Sequence, residues 1–166
     1  MKLLQWLLIG LAAVSALAVL VGQLGLLQGT RPDDLGVHDG RLKPPSATPN
    51  SVSSQALLWS KHKQQHEQAQ LAQIAPLPVH GDGLASIARL QVLLQADPAV
   101  TVVESRSNYL YAQYTSPLMK FVDDVEFWYD ARNGVIQVRS ASRLGRNDFG
   151  ANRRRIEALR EQLAAS

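Results

Sequence analysis

The sequence predicts an α+β protein in which an N-terminal transmembrane helix precedes a two-layer domain, a four-stranded antiparallel meander with helices on one face. Three observations carry this. Residues 3–30 contain no Asp, Glu, Lys, Arg or His. Successive segments between residues 100 and 142 are rich in β-branched residues or alternate apolar with polar ones, the pattern of strands with a buried face. Runs with apolar residues at helical spacing lie before and after them, so helices and strands segregate along the chain.

A helix rises ~1.5 Å per residue and the hydrocarbon core is ~30 Å thick, so roughly 20 apolar residues cross it. Residues 3–21 fit, with Gln5 and Ser15 as the clearly polar side chains, and Gly22, Gln23 and Gly25 mark the far end. A cleaved signal peptide is the alternative, with an apolar core of ~7–15 residues ahead of small residues. Ala16-Leu17-Ala18 offers such a site, but cutting there leaves the apolar run 19–27 at the new terminus, which favours retention as an anchor. Lys2 before the span, against Arg31 offset by Asp33 and Asp34 after it, puts the N-terminus in the cytoplasm by the positive-inside rule. The expected location is therefore a bacterial inner membrane, single-pass, with the C-terminal domain periplasmic or extracellular.

The 166-residue chain has no cysteine, which excludes disulfides, cysteine metal sites and lipid attachment through a thiol. The net charge of +3 includes Lys2, so the part beyond the anchor is nearly balanced. A nucleic-acid partner needs a basic face in the cytoplasm and is not expected.

Beyond the anchor (residues 1–30), the chain divides into a Pro-rich arm with a Gln-rich polar helix (31–81) and a globular core (82–166). Pro32, Pro44, Pro45 and Pro49, with Gly36 and Gly40, make residues 31–54 irregular, a tether or an extended arm lying on the domain. Ser54 is placed to cap a helix from near Gln55 to Gln73, which Pro76 and Pro78 end. Leu84, Ile87, Ala88, Gln91 and Leu94 recur at helical spacing from Asp82 until Asp97-Pro98.

Four strands follow, over residues 100–105, 108–116, 122–130 and 135–142. In the second, Leu110, Ala112 and Tyr114 oppose Tyr109, Tyr111 and Gln113; in the third, Val125, Phe127 and Tyr129 oppose Asp124, Glu126 and Trp128. Asn133-Gly134 predicts a two-residue hairpin turn, which would set Trp128 opposite Arg139 and Asp124 opposite Arg143. A closing helix from Asp148 or Phe149 to Leu163 presents Phe149, Ile156, Leu159 and Leu163 on one face.

Several stretches together are distinctive. They are Pro49-Asn50-Ser51-Val52-Ser53-Ser54-Gln55, Phe121-Val122-Asp123-Asp124-Val125-Glu126-Phe127, Val138-Arg139-Ser140-Ala141-Ser142-Arg143 and Gly145-Arg146-Asn147-Asp148-Phe149-Gly150-Ala151-Asn152-Arg153. They resemble the domain of unknown function 1499 family, common in bacteria and found also in plastids, over about residues 35–163. The family has no established activity, so the resemblance implies domain boundaries and not a function. Its members often carry cysteine where this chain has Pro45 and Ser51, a joint loss expected if the two form a disulfide in relatives. Residues 57–73 look like an insertion relative to the family.

Catalytic chemistry finds little footing. His62 and His66 share a helical face, but Lys63, Gln64 and Gln65 fill the gap where a zinc-protease signature would carry Glu, and two ligands leave a metal site incomplete. No metal or other cofactor is expected. Ser140 and Ser142 would have to recruit His38, His62, His66 or His80 for a triad, since no histidine follows His80. Asp123 and Asp124 point to opposite faces of a strand and cannot share a site. The glycine-containing loop at residues 145–152 opens a helix, but Asp148 brings its own negative charge to that terminus.

The arginines of the last stretch are the remaining signal. Solvated helix faces and cross-strand pairs are the bland explanation. The sharper one is a ligand-binding surface made of Asp124, Trp128, Arg139, Arg143, Arg146, Asn152 and Arg153, since guanidinium groups take carboxylates and phosphates in bidentate fashion. The expected function is a membrane-anchored, non-enzymatic binding or interaction module. Its ligand would be an anionic lipid, a cell-wall polymer or an acidic protein. The alternative is an envelope enzyme, hydrolase-like, using Asp124, Arg139 and Arg143.

Overall fold

The structure is a computed structural model, described over residues 2–60 and 63–165. Its elements are α1 (Lys2–Gln23), β1 (Ser51–Ser53), α2 (Lys63–Ala72), β2 (Leu77–Pro78), α3 (Gly83–Ala96), β3 (Val100–Arg106), β4 (Tyr109–Thr115), β5 (Val122–Asp130), β6 (Val135–Ser142) and α4 (Ala151–Ala165), with a 3-10 turn at Ala56–Trp59. The sheet has six strands rather than four, because the predicted meander β3–β6 gains β1 and β2 along the free edge of β6. Both come from segments whose prolines suggested irregular structure or a stop. Pro78 is tolerated because β2 is a two-residue edge strand, where few ladder donors are needed.

One face of the sheet packs against α3 and α4. Asp82 caps α3, its side chain accepting from the Leu84 N–H, and the helix buries Ser86, Ile87, Leu90 and Leu94. Leu84, expected on that face, is instead 46 % exposed. From α4 come Ile156, Leu159 and Leu163, and from the sheet Leu110, Ala112, Val125, Phe127, Ile136 and Val138, to complete a single apolar core. At ~1.5–3 kcal/mol per fully buried large aliphatic or aromatic side chain, this layer is the main source of stability.

The opposite face is not the one on which α3 and α4 pack. The arm covers it, packing Leu35, Val37 and Leu42 over Tyr109, Tyr111 and Trp128. Of the two possibilities left open for the arm, it is the extended one lying on the domain. Ser54 does not cap a helix; its hydroxyl donates to Gln137 Oε1 (2.7 Å) and receives the Val138 N–H (2.9 Å), tying the residue after β1 to β6.

The β5–β6 hairpin corrects the expected register. Asp130 pairs with Val135, so Ala131, Arg132, Asn133 and Gly134 form the loop, and Trp128 faces Gln137 while Arg139 faces Glu126. The cause is Asp130. It accepts from the Asn133 side chain (2.6 Å) and backbone (3.3 Å), fixing a longer turn that Gly134 closes at φ +63°. The slip is of two residues, so every side chain keeps its expected face.

Candidate functional site

The polar face of the sheet holds two buried ion pairs side by side. Arg143, just beyond β6, reaches diagonally to Asp124 on β5 with a bidentate fork, Nε to Oδ2 at 2.8 Å and Nη2 to Oδ1 at 2.7 Å. The Tyr111 hydroxyl donates to the same Oδ1 at 2.5 Å and receives the Gln113 amide at 2.7 Å. The expected Asp124–Arg143 contact is thus present, although the two are not directly opposite one another. Arg31 stacks over the Tyr111 ring, 4.7 Å from its centroid, and seals the cluster from the arm side.

One position along, Glu126 and Arg139 lie 3.7 Å apart with their side chains 0 % and 5 % exposed. Glu126 Oε1 receives the Gly36 N–H (2.7 Å) and the Tyr109 hydroxyl (2.9 Å), while Arg139 Nε donates to the Pro44 carbonyl (3.1 Å). Glu126 Oε2 and Arg139 Nη1 have no hydrogen-bond partner among the described residues. Burial pushes the Glu126 carboxyl above its ordinary range, against the pull of the Gly36 N–H, Arg139 and Tyr109. Burial likewise pulls Arg139 down. Burial disfavours the charged form of each partner, and at this separation their attraction does not offset it. Arg143 moves the other way, raised by its hydrogen bonds to Asp124.

A third cluster lies on the helix face, at the start of α4. Asp148 accepts from the Asn152 N–H (2.8 Å) and the Gly150 N–H (3.0 Å), satisfying donors that the helix leaves free. Burial alone would raise the Asp148 carboxyl, but these bonds and that of the Asn152 amide hold it below its usual value. The fully buried Asn152 side chain donates to the Asn50 carbonyl and to Ser142 Oγ, both at 3.1 Å, and accepts from Ser140. Arg155 joins it to Asp123 at 2.6 Å and stacks on Tyr114. Desolvation drives the Tyr114 hydroxyl up to about 12.

The expected site residues are therefore distributed, not gathered. Asp124, Arg139 and Arg143 share the arm-covered face, whereas Asn152 belongs to the helix-face cluster. Arg153 donates to the carbonyls of Leu71 and Gln73, both at 2.9 Å, and so holds the end of α2 against α4. Arg160 does the same for the Ala75 and Pro76 carbonyls. Trp128 lies six positions along from Arg143 in the paired strands, ~20 Å at ~3.3 Å per residue. It lines a groove of about 500 Å³ with Asp39, Asn108 and Arg132. Arg146 is exposed, with no side-chain hydrogen bond or ion pair among the described residues. Glu126, Tyr109, Tyr111 and Arg155 were not among the expected site residues. Their signal was the alternation of β4 and β5, in which tyrosines and carboxylates share one face.

His66 bonds Ser60 and Gln70, and His62 lies outside the described residues. Among the described residues no three His, Asp or Glu side chains gather as metal ligands.

Residues 41–163 match the family described as protein of unknown function (DUF1499). The chain belongs to the DUF1499 family. The matched span begins inside the arm, so the DUF1499 unit includes β1, β2 and both buried ion pairs. No curated protein and no solved structure matches the chain.

Proposed function

We propose that the chain is a membrane-anchored, non-enzymatic binding or interaction module. In this reading α1 is a single span of a bacterial inner membrane, and the domain stands on the periplasmic or extracellular side. It takes an anionic ligand there: a lipid headgroup, a cell-wall polymer or an acidic protein face. The anchor rests on α1, which has mean hydropathy 2.3 over its best window and packs none of that window into the domain. By length and composition a signal sequence passes the same test.

The observation that carries the non-enzymatic reading is the closure of the two ion pairs. The side chains of Asp124, Arg139 and Arg143, the groups an enzyme on this face would use, are 2–7 % exposed and bonded to one another or to the arm. A general acid or base must reach a substrate proton within hydrogen-bond range, and these face inward. The cations left outside the two pairs include the half-buried Lys120 and exposed Arg146 at one end of the sheet and Arg154, exposed at the start of α4, alongside exposed carboxylates such as Asp39, Asp82 and Asp97.

The test is a thermal-shift panel on the full chain in neutral detergent. Phosphatidylglycerol, cell-wall fragments and an acidic peptide are expected to raise the midpoint, because a ligand that binds only the folded state stabilises it by mass action. Nucleotides and divalent metals are expected to leave it unchanged. A shift with none of the anionic probes overturns the anionic-ligand reading. A reporter fused after Ser166 that is active only outside the cytoplasm checks the orientation, and silence in an expressed fusion reverses it.

A further inference from the structure

The last turn of α1 does not hang free of the domain. Gln23 Nε2 donates to the carbonyls of Leu118 (2.8 Å) and Pro117 (3.2 Å), in the loop joining β4 to β5. Gly22 lies so close to that loop that a Cβ there would stand 2.6 Å from the Met119 carbonyl oxygen. Gly29 rests in the same way on the side chains of Arg143 and Leu144, where β6 leaves the sheet. The end of the helix and the residues after it are thus in close contact with both loops, and the loops sit level with the end of the apolar segment.

These loops expose apolar side chains that no core contact explains. Leu118 is 58 % exposed, Phe121 40 % and Leu144 41 %, and Leu24 and Leu26 beside them are 67 % and 68 % exposed. Lys120 and Arg146 lie in the same two loops, and their side chains make no ion pair or hydrogen bond among the described residues. The nearby carboxylates are already engaged, Asp123 by Arg155 and Asp148 by the first N–H groups of α4. The outward combination is apolar and aromatic residues interleaved with unpaired cations, the composition that settles at a headgroup boundary.

We propose that this end of the domain is a second membrane contact. Leu118, Phe121 and Leu144 enter the boundary between headgroups and acyl chains of the leaflet that α1 leaves, and Lys120 and Arg146 meet the phosphates of acidic lipids. The contact rests on the anchored reading of α1, whose geometry supplies its level and orientation.

The absence of cysteine makes the test clean, since one introduced thiol takes a dye without background. Full-length L118C, F121C and L144C, each carrying an environment-sensitive fluorophore, are reconstituted into vesicles of phosphatidylcholine with phosphatidylglycerol. R132C, in the loop at the far end of the sheet, and V14C, within α1, serve as references. Lipids spin-labelled near the headgroup are expected to remove most of the emission at 118, 121 and 144, with a blue shift, and to leave 132 unquenched. Adding K120E and R146E is expected to restore emission at all three. Labels at 118, 121 and 144 that behave like 132 while 14 is quenched by deep-labelled lipid overturn the contact and leave the anchor standing. If position 14 is also unquenched, the anchor fails and the contact with it.

Discussion

Both faces of the sheet are covered over β4–β6, one by α3 and α4 with aliphatic and aromatic side chains, the other by an irregular arm over tyrosines, carboxylates and guanidiniums. On the helix face, apart from the Asn152 and Arg155 cluster at the start of α4, the contacts are non-directional, and any well-shaped apolar group serves. On the arm face each contact has a named partner: Glu126 needs the Gly36 N–H, Arg139 the Pro44 carbonyl, and Leu42 donates its N–H to Gln55 Oε1 at 2.8 Å. The helix face therefore supplies stability, while the arm face dictates where a chain segment with no secondary structure must lie.

Substitutions separate the two kinds of closure. On the helix face, Phe127→Ala is expected to cost about 3–5 kcal/mol in chemical denaturation, with no second substitution that restores it. On the arm face, Arg139→Met is expected to cost a similar amount, about 3–5 kcal/mol, by leaving Glu126 buried without its cation. There the double variant E126Q/R139M is expected to recover much of the loss. A double variant as unstable as R139M would erase the distinction between the faces. A smaller effect belongs to the start of α4, where Asp148→Ala should cost about 1 kcal/mol, as removal of a capping side chain usually does.

The smallest effects are in the pH dependence, and they have opposite signs. The raised carboxyl of Glu126 means the folded state holds its proton more tightly than the unfolded one, so stability declines as pH rises above the ordinary value of 4.5 through the raised one. The lowered carboxyls of Asp130 and Asp148 contribute stability above the ordinary 3.8, which is lost as pH falls through their folded values. Denaturation midpoints against pH should lose the decline above 4.5 in Glu126→Gln, and D148N should reduce only the acid-side loss.

The helix face was legible in the sequence because its signals are periodic: Ile87 and Leu94 along one helix, Ile156, Leu159 and Leu163 along another, Val125 and Phe127 on a strand. Phe149 fits the same period yet is 84 % exposed, because its backbone takes φ +52° ahead of α4 and turns it away from the core. The arm face was legible only by halves. The alternation of β5 placed Asp124, Glu126 and Trp128 together, but on a surface that looked solvated. What covers it comes from residues 31–44, whose binding depends on single backbone groups such as the Gly36 N–H and leaves no period. The hairpin failed for a similar reason, since Asn133-Gly134 fits a short turn and a longer one equally well until Asp130 selects. The arginines stood out by composition, but composition does not separate Arg153, bonded to carbonyls, from Arg146, which faces outward.

The stitched arm also sets how far the domain can travel. A free leash between α1 and β1 would extend ~3.4 Å for every residue and let the domain roam well away from its origin. Here Arg31, Gly36, Leu42 and Pro44 are each held on the sheet, so almost no slack remains. Under the anchored reading, such a molecule searches by lateral diffusion in two dimensions at a fixed height and tilt. It can intercept only what comes to the bilayer surface or already lies in it.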